Sequence, residues 1–390
     1  MAEPRIYLDH AATTPVDPRV VEAMLPYFNQ RFGNPSSIHR WGQQAEAAVE
    51  RARLLLAEGL NCRPDEIIFT GCGSESDNLA VRGAALAARR KTGGNHVLVS
   101  AVEHHAVLNT ALALADEHGF EAQLIPPDEF GQITAEAVAP LLRPDTAVVS
   151  VMTANNEIGT INPISEIGAL CRQKGIIFHT DAVQAGAHLR LDTQSLNVDL
   201  LSLGAHKFYG PKGVGALYVR DGTQLVPTLT GGSQEAGLRA GTHNVPLIVG
   251  MAEAYRLALD ERPLHNQRAE MLRDHLLRQV PDSIPDAQIT GHPNLRLPNH
   301  ASFVFHGVDG NQLLAALDVA GFACSSGSAC KTGDPEPSDV LAAIGLSREW
   351  ALGSLRITVG RDTSEEDIAR LMDQLPGLIQ RLRTAESLQA

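Results

Sequence analysis

The chain has 390 residues, of which 44% are hydrophobic, and a formal net charge of −13 at pH 7. A chain of this length buries one large core and a smaller second one, so we expect two domains. The acidic balance argues against direct binding of nucleic acid, which requires clustered Lys and Arg. No apolar run reaches the roughly 20 residues that span a bilayer, and no leader pattern is present, so a cytoplasmic protein without a membrane partner is expected.

Short β-rich runs alternate with helical patterns from about Asp65 to Val219. The predicted strands end at Thr70, Ser100, Pro126, Met152, Asp181, Leu203 and Val219. The predicted helices, with apolar residues three and four apart, are Glu75–Arg90, Ala106–His118, Ala135–Leu142 and Ile164–Lys174. This alternation predicts an α/β fold with a seven-stranded, mostly parallel sheet covered by helices on both faces.

The remainder of the chain predicts a smaller α+β domain. An amphipathic segment from Val245 to Asp260 is followed by a helix, Glu270–Val280, by β runs at Ser302 and Ser354, and by a closing helix near Glu365–Leu382. We therefore expect a large domain at residues 14–260 and a small domain formed by residues 1–13 with 261–390. Glycine, proline and serine make residues 325–338 a loop.

Ligands of such sheets bind beyond the carboxyl ends of the strands, so the polar residues there are the candidates. The small-residue turn Gly71–Asn78 is suited to an anion at a helix start, although a plain cap with Ser74 as the N-cap residue is an alternative. Asp181 ends a strand where a carboxylate can hold a heteroaromatic nitrogen protonated, or where it simply caps a helix. Lys207 follows the next strand, where partial burial frees an amine for Schiff-base chemistry, with Lys212 as the competitor.

These features together resemble the fold-type I pyridoxal-phosphate enzymes, and eight ordered motifs resemble the NifS/IscS-type cysteine desulfurases within the class V aminotransferases. The motifs are YLDHAATTP from Tyr7, NPSSIH from Asn34, EHHAV from Glu103, NNEIGT from Asn155, HTDAVQ from His179, AHKFYGPKG from Ala205, LRAGT from Leu238 and SSGSAC from Ser325. They cover nearly the whole chain, which makes coincidence remote.

The resemblance implies that pyridoxal 5'-phosphate is the cofactor. Lys207 would bind it covalently, and Asp181 would pair with its ring nitrogen. Gln184 and Asn155 would approach the ring hydroxyl. His104 would stack on the ring and assist proton transfer.

The resemblance also assigns the cofactor phosphate to four residues. Gly73, Ser74 and His206 would hold it from the same subunit. Thr242 would reach it from the partner subunit, which implies a homodimer. Gly204 departs from the family, because many relatives carry a serine hydroxyl there. Ser233 and Ala236 are further departures, which concern local loop contacts.

The implied substrate is L-cysteine. Arg356 would bind its carboxylate, because a planar guanidinium makes two parallel hydrogen bonds. Asn34 and Asn155 would assist. The products would be L-alanine and a persulfide on Cys330, and sulfur would pass to an iron–sulfur scaffold protein or to a sulfur carrier used in tRNA thiolation.

Cys330 differs from the other four cysteines because it lies in the loop at residues 325–338, beside Lys331. A neighbouring cation and partial exposure favour thiolate. The remaining cysteines, Cys62, Cys72, Cys171 and Cys324, are expected in the core. No intrinsic metal site is expected, and Cys330 is a candidate transient iron–sulfur ligand with a scaffold partner.

Two other functions are open at this point. A selenocysteine lyase or another class V aminotransferase would share Lys207 and Asp181 without depending on Cys330. A non-catalytic sulfur-relay protein that kept the fold would have lost the lysine or the acid, and both are present.

Overall fold

The computed structural model describes residues 5–326 and 336–387. The strands are β1 (Ile6–Tyr7), β2 (Ile67–Thr70), β3 (His96–Ser100), β4 (Glu121–Ile125), β5 (Thr146–Ser150), β6 (Ile177–Asp181), β7 (Leu200–Gly204), β8 (Gly215–Val219), β9 (Ala287–Ile289), β10 (His300–Phe305), β11 (Phe322–Ala323) and β12 (Ser354–Thr358). The helices are α1 (Pro18–Met24), α2 (Pro26–Asn29), α3 (Arg40–Leu60), α4 (Gly73–Thr92), α5 (His105–His118), α6 (Ala135–Val138), α7 (Ile164–Lys174), α8 (Thr193–Leu196), α9 (Val245–Ser283), α10 (Gly310–Val319), α11 (Asp339–Ala343), α12 (Arg348–Leu352) and α13 (Glu365–Ser387).

The largest sheet has seven strands in the order β2-β8-β7-β6-β5-β3-β4. β8 runs antiparallel to both of its neighbours, and the other pairs are parallel. Strands β3, β5 and β7 are fully buried, as expected for a sheet covered by helices on both faces. The predicted seven-stranded, mostly parallel sheet is therefore confirmed.

The pairing of β6 with β7 brings two of the candidate residues together. Asp181, at the end of β6, is in register with Ser202, and β7 ends two residues later. A short 3-10 turn, Ala205–Lys207, follows β7 directly. Because parallel strands end at the same edge of a sheet, Asp181 and Lys207 lie at one edge.

Two smaller sheets complete the structure. One is antiparallel with the order β12-β10-β9, and the other pairs β1 with β11 in parallel. Asp9 also forms an isolated bridge with Thr358, at the end of β12. The N-terminal segment is thereby hydrogen-bonded to the C-terminal part of the chain.

Helix α9 corrects one prediction. The segment Val245–Asp260 and the helix Glu270–Val280 are not separate, because one helix continues from Val245 to Ser283 with Pro263 inside it. Pro263 removes one backbone donor, but buried residues continue on both sides of it, from Val245 to Ala258 and from Ala269 to Val280. Tertiary packing of both halves outweighs that local cost.

The buried apolar side chains form separate clusters. The large sheet and its helices contribute two of them, whereas a third joins Ile6 and Leu8 to α10, α13 and the second half of α9. The domain boundaries at residues 14 and 260 remain a prediction. Within the described residues, no helix is both long and apolar enough to cross a membrane.

Candidate active site

A cavity of about 310 Å³ opens at the carboxyl end of the large sheet. Three stretches of chain that are distant in sequence form its wall: the N-terminal segment, the strand ends of the large sheet, and β12. The lining residues are Ala11, Ala12, Cys72, Gly73, Ser74, Asp77, His104, Met152, Asn156, Asp181, Val183, Gln184, His206, Lys207 and Arg356. The cavity therefore collects most of the polar residues that the sequence singles out.

The amine of Lys207 projects into this cavity from the turn after β7. Its Nζ donates to the carbonyl oxygens of Ala11, at 2.6 Å, and Ala12, at 2.8 Å. Burial, with the nearby positive charge of Arg356, lowers the pKa of Lys207 to about 8. A neutral amine is thus accessible near physiological pH. Lys212 is exposed and does not line the cavity.

Asp181 is buried at the cavity wall, where its Oδ1 accepts a hydrogen bond from the Val183 amide at 2.8 Å. Burial raises its pKa, whereas that hydrogen bond and the nearby His104 and Lys207 lower it. A second acid, Asp77, is fully buried beside it, and its Oδ1 has no hydrogen-bond partner among the described residues. Burial and the charge of Asp181 raise the pKa of Asp77 well above its usual range. Asp181 is therefore the carboxyl better suited to carry charge.

Helix α4 begins at the wall of the cavity, at Gly73. Its N-cap residue is Cys72, which makes no side-chain capping bond, so the alternative with Ser74 as the N-cap is wrong. The free amides of a helix start and the helix dipole attract anions. A Cβ added at Gly73 would lie 2.7 Å from Val183 Cγ2, so this close packing requires glycine.

Three further polar side chains line the cavity. His206 Nδ1 lies 3.2 Å from Thr13 Oγ1. Gln184 donates to the Ala11 carbonyl at 2.9 Å. His104 is the N-cap of α5 and accepts from the Ala106 amide through Nδ1 at 3.1 Å, which leaves Nε2 available.

Both of these histidines are held largely neutral. Burial, together with Lys207 and Lys212, lowers the pKa of His206 to about 4. Partial desolvation is also the largest cause that lowers the pKa of His104, and the positive charge of Lys207 adds to it. Neutral imidazoles can accept as well as donate hydrogen bonds in the cavity.

Arg356 reaches the cavity from β12 and is held by two partners. Its Nη2 donates to Asp9 Oδ1 at 2.7 Å, and its Nη1 donates to the Asn156 carbonyl at 2.8 Å. Its Nε is buried and has no partner among the described residues. The guanidinium is therefore fixed in orientation while these bonds use two of its five N–H donors, as expected of a group that keeps donors for a carboxylate.

Three predicted residues do not line this cavity. Asn155 is fully buried, where its Nδ2 donates to the Val102 carbonyl and its Oδ1 accepts from the amides of Glu157 and Ile158. Asn34 and Thr242 are exposed on loops. The neighbouring Asn156 takes the place at the cavity wall.

The cysteines differ in part from the prediction. Cys171 is buried, but Cys72 is exposed and lines the cavity, so its expected place in the core is wrong. Cys62 and Cys324 are partly buried. Cys330 lies outside the described residues.

Sequence reasoning missed several residues that build the site. Asp9, Asp77, Asn156 and the carbonyls of Ala11 and Ala12 all contribute to it. Two motifs could have pointed to them: Asp9 to Ala12 fall within YLDHAATTP, and Asn156 falls within NNEIGT. A motif shows that a segment matters, but it does not show which atoms of the segment make contact.

The donor set fits pyridoxal phosphate. The amine of Lys207 suits its aldehyde, the carboxylate of Asp181 suits its ring nitrogen, and the start of α4 suits its phosphate. Gly73 adds no side chain at the start of α4, where a Cβ would contact Val183 Cγ2.

Comparisons with known proteins agree with this geometry. The family model of aminotransferase class-V matches residues 6–371. A cysteine desulfurase IscS of Clostridium botulinum is 45% identical over 381 residues, which cover 97% of this chain and 95% of that protein. A cysteine desulfurase IscS of Dictyoglomus turgidum is 46% identical over 379 residues, with 97% and 95% covered. A solved NifS-like protein superimposes with a TM-score of 0.90 at 35% identity, covering 97% of this chain and all of that one.

The match extends over nearly the full length of both chains in each comparison, so the fold and its motifs are shared as a whole. The chain therefore belongs to the aminotransferase class-V family of pyridoxal-phosphate enzymes and, within it, to the cysteine desulfurases.

Proposed function

We propose that this chain converts L-cysteine into L-alanine with Lys207, Asp181 and Arg356, and that it receives the released sulfur on Cys330. The observation that supports this proposal most strongly is the convergence of an amine, a carboxylate and a guanidinium on one cavity of about 310 Å³. Each of these groups matches one part of the cofactor or of an amino-acid substrate.

Bound pyridoxal phosphate supplies an electron sink that acidifies the Cα proton of an attached amino acid. Lys207 is proposed to bind the cofactor and, once displaced by substrate, to move that proton. Its pKa of about 8 supports this role, because a base is most effective when its pKa lies near the working pH. The two carbonyls that accept from Nζ hold the amine on the cavity side.

The remaining cofactor contacts are proposed in three groups. Asp181 keeps the ring nitrogen protonated. Gln184 and Asn155 would serve the ring hydroxyl, and His104 would contact the ring and assist proton transfer through Nε2. The phosphate is assigned to Gly73, Ser74 and His206.

Arg356 is proposed to bind the carboxylate of L-cysteine. The family resemblance also assigns Asn34 and Asn155 to this carboxylate, although neither lines the cavity. Arg356 is only 7% exposed, which supports its assignment because a guanidinium that has lost most of its water gains more from a carboxylate than an exposed one. The contacts with Asp9 and Asn156 keep the guanidinium plane fixed before substrate arrives.

The sulfur step is proposed to occur at Cys330. Its thiolate attacks the substrate sulfur, so that an S–S bond forms while the substrate C–S bond breaks and Cβ takes a proton. L-Cysteine and one enzyme thiol thus become L-alanine and one persulfide, without an external oxidant. The adjacent Lys331 favours the thiolate.

The persulfide sulfur is proposed to pass to an iron–sulfur scaffold protein or a sulfur carrier, in keeping with relatives that are called IscS. The protein is also proposed to act in the cytoplasm. Cys330 is also proposed as a transient ligand of a cluster held by a scaffold.

The working unit is proposed to be a homodimer in which Thr242 of the partner subunit reaches the phosphate. Two observations support it. Thr242 lies on an exposed loop outside the cavity of its own chain. Several large apolar side chains are also exposed near the N-terminus, as surfaces between subunits often are: Leu25, Phe28, Phe32, Ile38 and Trp41.

The first test compares wild type with Cys330→Ser under reducing conditions, with bound cofactor confirmed by its absorption. We expect the variant to keep the cofactor but to lose both alanine and sulfide production from L-cysteine. Undiminished production of alanine and sulfide by Cys330→Ser would reject the persulfide step and favour a direct lyase or an aminotransferase. Selenocysteine is assayed in parallel, and equal turnover of it by Cys330→Ser and wild type would favour a selenocysteine lyase.

A further inference from the structure

A second, smaller cavity of about 190 Å³ adjoins the first and shares His104, Asn156 and Arg356 with it. Its wall also contains Ser326 and Asp339, which flank the segment at residues 327–335, and the acid Glu157. Glu157 belongs to the motif NNEIGT, but the proposed chemistry gives it no task.

The residues before the segment are bound to β12. The amide of Ser325 donates to the carbonyl of Arg356 at 3.3 Å, and the amide of Arg356 donates to the carbonyl of Ser325 at 2.7 Å. These two bonds attach the preceding backbone to the residue whose side chain faces the substrate cavity.

After the segment, Ser338 is hydrogen-bonded to Glu157. Ser338 is buried and is the N-cap of α11, where its Oγ accepts from the amides of Val340 and Leu341. The same hydroxyl donates to Glu157 Oε2. Close by, His105 Nε2 lies 3.4 Å from Asp339 Oδ2, an exposed contact of little expected strength.

The turn that carries Glu157 connects these contacts. Asn155 Oδ1 accepts from the amides of Glu157 and Ile158 and so fixes the turn. The carbonyl of Asn156, one residue before Glu157, accepts from Arg356 Nη1 at 2.8 Å. One turn therefore fixes both the substrate-binding guanidinium and the chain that follows the segment with Cys330.

We propose that Glu157 is a positioning residue for sulfur transfer: through Ser338 it anchors the chain downstream of Cys330 to the turn that orients Arg356. This inference rests on the proposed function, since it assumes that Cys330 receives the sulfur. Glu157 touches neither cofactor nor substrate in this role. Its contact joins the turn that holds Arg356 to Ser338, which follows the segment that carries Cys330.

The test measures persulfide formation in a single turnover of the holoenzyme with L-cysteine. Glu157→Ala is expected to slow it roughly ten- to a hundredfold, because small displacements of reacting groups cost that much. Cofactor absorption and the first spectral change on adding L-cysteine should remain as in wild type. Glu157→Gln keeps an oxygen that accepts from Ser338 and should restore the rate to within about threefold.

Two further variants isolate the contact. Ser338→Ala should slow the step at least as much as Glu157→Ala, because it removes the bond to Glu157 and also the cap of α11. The double variant should be no slower than Ser338→Ala alone, because that variant has already lost the bond to Glu157. Thr134→Ala is the matched control: it removes a side-chain cap from α6, outside both cavities, and should leave the rate unchanged. Hydrogen exchange should rise in α11 of Glu157→Ala.

The outcomes separate this inference from the proposed function. Wild-type persulfide formation by Glu157→Ala, while Cys330→Ser forms none, would overturn the anchor alone. Loss of cofactor from Glu157→Ala, or a failure of Glu157→Gln to restore the rate, would also overturn it in favour of a general structural role. Undiminished turnover by Cys330→Ser would instead reject the proposed function.

Discussion

The cavity has two walls that are built in different ways. The sheet wall, formed by Gly73, Asp181 and Lys207, rests on a helix start and on the ends of neighbouring strands. The clamp wall, formed by Asn156 and Arg356 with Asp9 bonded behind it, rests on hydrogen bonds from the Arg356 side chain to residues 347 and 200 positions away. Backbone pairing fixes the first wall, whereas the second depends on a few polar contacts. We therefore expect single substitutions to affect chemistry at the sheet wall and substrate binding at the clamp wall.

The largest effect is expected at Lys207, which tests the sheet wall. Lys207→Ala should lower alanine production by about 10³-fold or more, because it removes the proposed base and the group that binds the cofactor. Alanine formation and the cofactor absorption spectrum are the measurements. Lys212→Ala is the matched control, since Lys212 is exposed and outside the cavity, and it should retain turnover. Loss of alanine formation in Lys212→Ala but not in Lys207→Ala would contradict the assignment.

The next effect is expected at Asp9, which tests the clamp wall. Asp9→Ala removes the carboxylate bonded to Arg356 Nη2 and frees the guanidinium to rotate. We expect KM for L-cysteine to rise about tenfold, the loss of roughly one oriented charge-assisted hydrogen bond, with a smaller change in kcat. Asp9→Asn keeps an acceptor oxygen and should change KM less. A fall in kcat with KM unchanged would show that the two walls are not separable.

A third effect is the pH dependence of stability that arises from Glu157, in the turn that also contains Asn156 of the clamp wall. Burial raises the pKa of Glu157 to about 7, although Ser338, Arg356 and His105 oppose the rise. The folded state thus binds more protons than the unfolded state between pH 4.5 and 7, so this group lowers stability as the pH rises through that window.

Glu157→Gln removes that dependence. The variant should match wild type near pH 4.5 and exceed its free energy of unfolding by about 1–3 kcal/mol at pH 8. Chemical denaturation at the two pH values measures the difference. An equal gain in the free energy of unfolding at both pH values would contradict the titration of Glu157 in this range.

The smallest effect is expected at Gly204, at the end of β7 in the sheet wall. A Cβ added there would meet Val183 Cγ1 at 3.4 Å and the Gly73 amide nitrogen at 3.6 Å, both ordinary contacts. Gly204→Ser therefore fits and places a hydroxyl beside the helix start. We expect it to tighten cofactor binding by a few-fold, about the effect of one hydrogen bond. Titration of the cofactor-free protein measures this, and Gly204→Ala, which adds the Cβ without a hydroxyl, is the control.

Much of the fold could be predicted from the sequence. The runs that end at Thr70, Ser100 and Asp181 became strands at those residues, because hydrophobic periodicity and strand-end polarity are local properties of the chain. Asp181 and Lys207 meet for the same reason, since two parallel neighbours end at one edge. Helix α9 differed, because Pro263 suggests a break that packing on both sides overrides. The helix expected over Ala135–Leu142 ends at Val138, and the strand expected to end at Met152 ends at Ser150.

The clamp wall could not be derived in this way. The motifs containing Asp9, Asn156 and Glu157 were visible, but nothing local indicates that Asp9 bonds to Arg356 or that Glu157 bonds to Ser338, 181 residues away. The sequence by itself determined the sheet, the strand-end acid and lysine, and the family. Only the tertiary structure decided which carboxylates orient the clamp, because those contacts depend on how distant segments pack rather than on the periodicity of any one of them.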